Sequence, residues 1–210
     1  MQKKTDKSVP PNQLVTGLIL AGGQASRMGG EDKGLILLND KPLVMHVLER
    51  LMPQVHRTVI SCNRNHEQYS RFGCPLITDE LRPLSEPPSF NGPLAGIIAG
   101  MREIDTPYTL IVPCDCPALP LDLQTKLFAG LTSENKDIAV PFDGDRRQPL
   151  FLLIKTQLLS TLQEYYEQGG RSIRVWLNGE SITDVSFSNE TGSFTNLNTQ
   201  KELRNYTSHR

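Results

Sequence analysis

The stretch Leu18–Gly34, LILAGGQASRMGGEDKG, sets two adjacent glycines directly after an apolar run and then delivers Arg27 and Lys33. Glycine lets a backbone approach a ligand closely, and successive amides that point one way form an anion cradle. A guanidinium offers a fork to phosphate oxygens, and an ammonium acts as a mobile point charge. Leu20, Ala21, Gly22 and Gly23, with Arg27 and Lys33, are therefore a candidate di- or triphosphate site. The residue order is not that of the commoner phosphate loops. No Gly-Lys-Ser/Thr completes a P-loop, and GGQASRMGG lacks the G-x-G-x-x-G spacing. A second candidate is Asp115 in VPCDCP, a carboxylate at the exit of an apolar run, where it could hold Mg²⁺. A tight turn with solvated charges at the first position and a helix N-cap at the second are the structural alternatives.

These residues need a frame that brings strand ends together, and the chain supplies one. Short apolar runs predict strands at Leu14–Leu20, Arg57–Asn63, Cys74–Asp79 and Tyr108–Asp115, with later strands in DIAVPFD, RQPLFLLIKT and SITDVSF. Helical spacing appears in PLVMHVLERLMPQV, where Pro42 suits the first turn, and further helices are read in the polar NHEQYSRF, the small-residue LAGIIAGMREI, and in LPLDLQTKLFAGL, TQLLSTLQEYYEQG and TQKELRNYT. Strands alternating with helices predict βαβ units, hence an α/β fold with a mostly parallel, Rossmann-like sheet between helical layers. In such sheets ligands bind at the carboxyl ends of strands, where both candidates lie. LRPLSEPPSFNGP, with four prolines and no periodicity, predicts a loop.

Composition excludes several classes. Length fits one domain, read as residues 14–210 after a polar arm over 1–13. With 22 Lys+Arg against 23 Asp+Glu there is no global charge to recruit nucleic acid or an anionic membrane. The N-terminus has no apolar core of a secretory signal and no run is long enough to span a bilayer, so the expectation is a cytoplasmic protein. Four cysteines without a C-x-x-C pair read as buried thiols in a reducing compartment. His46, His56, His66 and His209 form no ligand pattern.

LILAGGQASRMGGEDKGL resembles the signature of nucleotidyltransferases of glycosyltransferase-A-like fold, and MGGEDKGL is close to the form found in molybdenum cofactor guanylyltransferases. DKPLVMHVLERL, SCNRN, ITDE, NGPLAGI, VPCDCPALP, RQPLFLL and NLNTQKEL follow in the same order as in that family. The resemblance implies a single-domain three-layer α/β/α fold of the nucleotide-diphospho-sugar transferase type. It implies transfer of GMP from GTP to the terminal phosphate of molybdopterin or molybdenum cofactor, with Mg²⁺ as the metal. It also implies transient contact with molybdenum-insertion proteins and chaperones of apo-molybdoenzymes.

Residue by residue, the resemblance gives Asp115 both metal and nucleotide, and puts Asp79 at the nucleoside. It sets Ser61 and Asn63 against guanine, although the family position matching Ser61 is often Asn. The GPLAG turn from Gly92 is open to base or phosphate contact and equally to close helix packing. Gln148, Pro149, Asn196 and Asn198 are implied on the acceptor side. For Arg146, Arg147, Arg171 and Arg174, phosphate contact and solvated loop positions both stand. Three other activities remain open from the sequence: the cytidylyltransferase relative, a sugar- or alditol-phosphate nucleotidyltransferase, and a non-catalytic nucleotide-binding adaptor.

Overall fold

The computed structural model describes residues 9–22, 32–78, 92–189, 192–197, 199, 202–204 and 206. A 3₁₀ turn at Pro11–Leu14, closed by Gln13 N–H donating to the Pro10 carbonyl at 2.9 Å, leads into β1 (Val15–Leu20). Regular structure thus begins within the stretch read as an arm. The remaining sheet strands are β4 (Arg57–Ser61), β5 (Leu76–Ile77), β6 (Tyr108–Pro113), β7 (Ile138–Phe142), β8 (Leu152–Lys155) and β9 (Ile182–Ser186). β2 (Leu37–Leu38) and β3 (Lys41–Pro42) form a separate hairpin. The helices are α1 (Leu43–Leu51), α2 (His66–Ser70), α3 (Gly92–Arg102), α4 (Leu123–Ser133), α5 (Leu159–Glu167) and α6 (Ile173–Leu177).

The seven-stranded sheet runs β5-β4-β1-β6-β8-β7-β9. Every neighbouring pair is parallel except those made by β8, which is antiparallel to both β6 and β7. That one reversal has a consequence for the site. The residues that precede β8, Gln148 to Phe151, come to the same edge as the carboxyl ends of the parallel strands.

Side chains alternate between two cores, as strand geometry requires. On one face Val15, Ile19, Ile60, Leu110 and Val112 pack with Val44, Val47, Leu48 and Leu51 of α1 and Leu123, Leu127 and Leu131 of α4. On the other, Leu18, Val59, Ile111, Leu152 and Ile154 pack with Leu94, Ile97, Ile98 and Met101 of α3, Leu162 of α5 and Trp176 of α6. The result is the expected three layers. α3 is buried from Leu94 to Met101 because it lies close on the sheet: a Cβ on Gly100 would stand 2.5 Å from Leu18 Cδ2, and one on Gly96 would stand 2.8 Å from Ser61 Oγ.

Several predicted boundaries shift. β6 stops at Pro113 because the chain turns at Cys114-Asp115, and β4 stops at Ser61. β5 is only Leu76–Ile77. Pro42 closes the hairpin in extended conformation just ahead of α1 rather than sitting in the first helical turn. The hairpin and α6 were not predicted. The hairpin turns at Asn39 and Asp40, both with φ near +50 to +60°, the pair of left-handed residues that a two-residue type I′ loop requires.

Candidate active site

Asp115 and Lys33 meet at the sheet edge. Cys114 N–H donates to the Leu20 carbonyl at 3.1 Å, which extends the β1–β6 pairing one residue past the strand and sends Asp115 off its end. Asp115 is 6% exposed. Its Oδ2 accepts from Lys33 Nζ at 3.1 Å, while its Oδ1 is buried with no hydrogen-bond partner among the described residues. A buried carboxylate oxygen without a donor is costly unless a ligand completes it.

Lys33 is held by its neighbours. Asp32 caps the 3₁₀ turn Lys33–Leu35 by accepting from Gly34 N–H at 3.2 Å. Its Oδ1 also accepts from Tyr69 Oη at 2.7 Å, and its Oδ2 from Asn65 Nδ2 at 3.0 Å, with Arg64 Nε at 3.4 Å. Tyr69, from α2, is fully buried, and burial first, then the nearby Cys114 and Asp32, push its phenol far above the usual range. Gly34 is required here: a Cβ would stand 2.3 Å from Tyr69 Oη.

The four cysteines are free and buried. Burial, reinforced by Asp32, raises the Cys62 thiol to about 11, and burial with Asp115 raises Cys116 and Cys114 further. Thiols raised this way stay protonated at neutral pH and are poor nucleophiles.

On the glycine-loop side, Ala21 N–H donates to the Ser61 carbonyl at 2.8 Å, and a Cβ on Gly22 would lie 3.2 Å from Asn63 Nδ2. Gly22 and the exposed Asn63 are therefore brought together. Ser61 is 2% exposed, with its hydroxyl against Gly96 of α3 and its carbonyl engaged by Ala21. Gly92 opens α3 with φ +73°, and the Arg171 carbonyl lies 3.9 Å from where its Cβ would be. Gly23, Arg27 and Asp79 lie outside the described residues.

At the edge where β8 begins, Gln148 and Asn196 line two adjoining clefts. One, of about 350 Å³, is bounded also by Asp143, Arg146, Phe194 and Glu202. The other, of about 330 Å³, adds Pro149, Pro93, Arg171 and Arg174. Asn198 lies outside the described residues. Gln148 Nε2 donates to Asp143 Oδ2 at 2.5 Å, and the Arg146 and Asp145 amides bind Asp143 Oδ1 at 2.8 and 2.9 Å. Those amides hold the Asp143 carboxyl below its ordinary range. The two adjacent arginines separate: Arg146 walls both clefts, whereas Arg147 makes a two-pronged pair with Asp184 at 2.6 and 2.9 Å. Arg171 donates to the Tyr166 and Gly170 carbonyls and stacks on the Tyr166 ring.

The two sides are joined through Asp115 itself. Leu197 N–H, next to Asn196, donates to the Asp115 carbonyl at 2.9 Å, and Cys116 Sγ–H donates to the Ser193 carbonyl at 3.1 Å. Leu197 then packs with Leu38, Leu43 and Leu203 against the hairpin that follows Lys33. Asp32, Tyr69, Asn65 and Asp143 went unread in the sequence. Asp32 alone left a trace, as the acid before Lys33.

A family model described as the MobA-like NTP transferase domain matches residues 17–182. The curated molybdenum cofactor guanylyltransferase of Shewanella loihica is 40% identical over 188 residues, covering 90% of this chain and 93% of that protein. The one from Shewanella halifaxensis is also 40% identical, covering 90% and 91%. Among solved structures, molybdopterin-guanine dinucleotide biosynthesis protein A from Archaeoglobus fulgidus aligns with TM-score 0.75 at 24% identity, over 92% of this chain and 97% of that one. A nucleotidyl transferase from Methanothermobacter thermautotrophicus gives TM-score 0.69 at 17% identity, over 93% and 97%. The two solved structures bear on the fold alone. Fold and relatives together define a nucleotidyltransferase. Within that class, the chain belongs to the MobA-like NTP transferase family.

Proposed function

We propose that this protein transfers GMP from GTP to the terminal phosphate of molybdopterin, or of its molybdenum-loaded form, giving the guanine dinucleotide cofactor and pyrophosphate. The observation that carries the reading is Asp115. Its side chain meets Lys33 on the glycine-loop side, and its backbone carbonyl holds the segment of Asn196 on the other side. Donor and acceptor phosphates bound to those two segments would meet at this carboxylate.

An acceptor phosphate oxygen attacks the α-phosphorus, a new P–O bond forms, and the bond to the β-bridging oxygen breaks with its electron pair leaving on pyrophosphate. The nucleophile is already anionic, so no protein base is needed, and the chain's task is positioning and charge compensation. Lys33, on a fixed turn, offsets charge on the leaving phosphates. Arg27 is proposed to share that work, with Leu20, Ala21, Gly22 and Gly23 as the cradle. Asn63, Asp79 and the Gly92 turn are proposed for the nucleoside, and Gln148, Pro149, Asn196 and Asn198 for the pterin.

The donor set fits Mg²⁺. Among the described residues, Asp115 offers a buried carboxylate oxygen without a partner, and no cluster of three acidic, His or Cys ligands exists. A single carboxylate with substrate phosphates and water is how Mg²⁺ is commonly held. When bound, the ion would neutralise donor phosphate oxygens. GTP and the pterin phosphate are the substrates, and contact with molybdenum-insertion proteins or molybdoenzyme chaperones is part of the proposal. No helix among the described residues is long and apolar enough to cross a membrane, and cytoplasmic residence is proposed on the sequence alone.

The test is Asp115→Ala, followed by pyrophosphate release with Mg²⁺, GTP and molybdopterin and by circular dichroism. Loss of turnover in a folded protein is expected. Parent-like turnover would remove the metal role.

A further inference from the structure

We propose that Asp32 is a positioning residue that locks the Lys33 turn to the base-side loop 62–65 through Tyr69, Asn65 and Arg64. The inference rests on the reading of Lys33 as the donor-phosphate lysine. Lys33 lies between two fixed neighbours. On one side, the Asp32 carboxylate receives Tyr69 Oη at 2.7 Å, Asn65 Nδ2 at 3.0 Å and Gly34 N–H at 3.2 Å, with Arg64 Nε at 3.4 Å. On the other, Gly34 is flush against the Tyr69 hydroxyl.

The side-chain donors come from the loop after β4 and from α2, the same segment that carries Asn63 beside Gly22. The carboxylate's side chain is 3% exposed. A charge that deep is tolerable only because several donors converge on it. The Lys33 main chain therefore cannot shift without breaking bonds to the loop that faces the nucleoside. A lysine held this way keeps its ammonium within reach of Asp115 while the donor phosphates change charge, which a free surface lysine would not do.

The consequence is coupling. Tyr69→Phe removes one donor from Asp32 and loosens the turn without touching any substrate-facing atom. Expected is a fall in kcat of about tenfold with the KM for GTP held within about twofold, the pattern of an interaction made in the transition state. Asn65→Gly is a second variant. Asn65 is exposed and left-handed at φ +55°, so glycine keeps the backbone while the amide is lost, and a smaller fall of the same kind is expected.

The deciding experiment is a cycle of Tyr69→Phe, Lys33→Ala and the double variant, reading kcat and KM for GTP. If Asp32 and Tyr69 act through Lys33, the Tyr69→Phe factor disappears in the Lys33→Ala background. Persistence of the full factor there, or an unchanged kcat in both Tyr69→Phe and Asn65→Gly, would overturn the inference. A parent-like rate in Lys33→Ala would instead remove the reading of Lys33 itself, and the inference with it.

Discussion

Replacing Gly34 with alanine puts the packing behind the Asp-Lys-Gly triplet to a direct test. The new Cβ would stand 2.3 Å from Tyr69 Oη and 3.3 Å from its Cζ. The hydroxyl must retreat by about an ångström to reach ordinary contact. It has nowhere to go: Tyr69 is fully buried, and its ring is held edge-on to Phe72 at 6.0 Å. Retreat also breaks the 2.7 Å bond to Asp32. Overpacking costs about 1–3 kcal/mol, and a hydrogen bond to a charged group about 1.5–3 kcal/mol. Alanine's lower unfolded-state entropy returns only about 0.4–1 kcal/mol. The net is a loss of about 2–5 kcal/mol, or roughly 4–20 °C in melting temperature for a chain of this size. Scanning calorimetry on Gly34→Ala, Tyr69→Phe and the double variant reads this out. In the double variant the hydroxyl is gone and the 3.3 Å contact needs only a small adjustment, so it should melt above Gly34→Ala. A single variant melting within about 2 °C of the parent, or a double variant no better than Gly34→Ala, would show that the Tyr69 hydroxyl does not set this packing limit.

Alkaline pH should destabilise the fold. Cys62 is raised to about 11 from an ordinary 9.0, so unfolded chains release its proton first and stability falls as pH climbs from about 9 to 11; Cys74, Cys114 and Cys116 push the same way. Thermal melts across that window should decline, and a flat profile would contradict the burial of these thiols. Arg147→Ala should leave turnover unchanged and cost no more than about 1 kcal/mol, because its pairing with Asp184 is exposed and outside the two clefts. A large loss of turnover would give Arg147 a part in the proposed acceptor site.

The order of strands and helices was readable because buried parallel strands are short apolar runs bounded by glycine or acid. The same logic located Asp115, since β6 has no other exit, and Lys33, since the glycine loop leads to it. What resisted reading depends on contacts distant in sequence. Asp32 finds Tyr69 37 positions later and Asn65 33 positions later. Nothing in a local window marks those partners. Ser61 is set against guanine by the resemblance, while its hydroxyl lies against Gly96, a contact that only the helix position reveals. The direction of β8 was invisible too, since an apolar run reads alike in both senses, yet it is what carries Gln148 to the active edge. The hairpin at Leu37–Pro42 has strands of two residues, too short for any alternation to register.

One measurement bears squarely on guanylyl transfer at Asp115. Pyrophosphate release is followed with Mg²⁺ and molybdopterin, offering GTP, CTP, ATP and UTP in parallel. Release with GTP alone is the expected result. Release with CTP in place of GTP would keep the fold and the in-line transfer but contradict the guanine assignment. Silence with all four, in protein that still binds GTP, would contradict the enzyme reading itself.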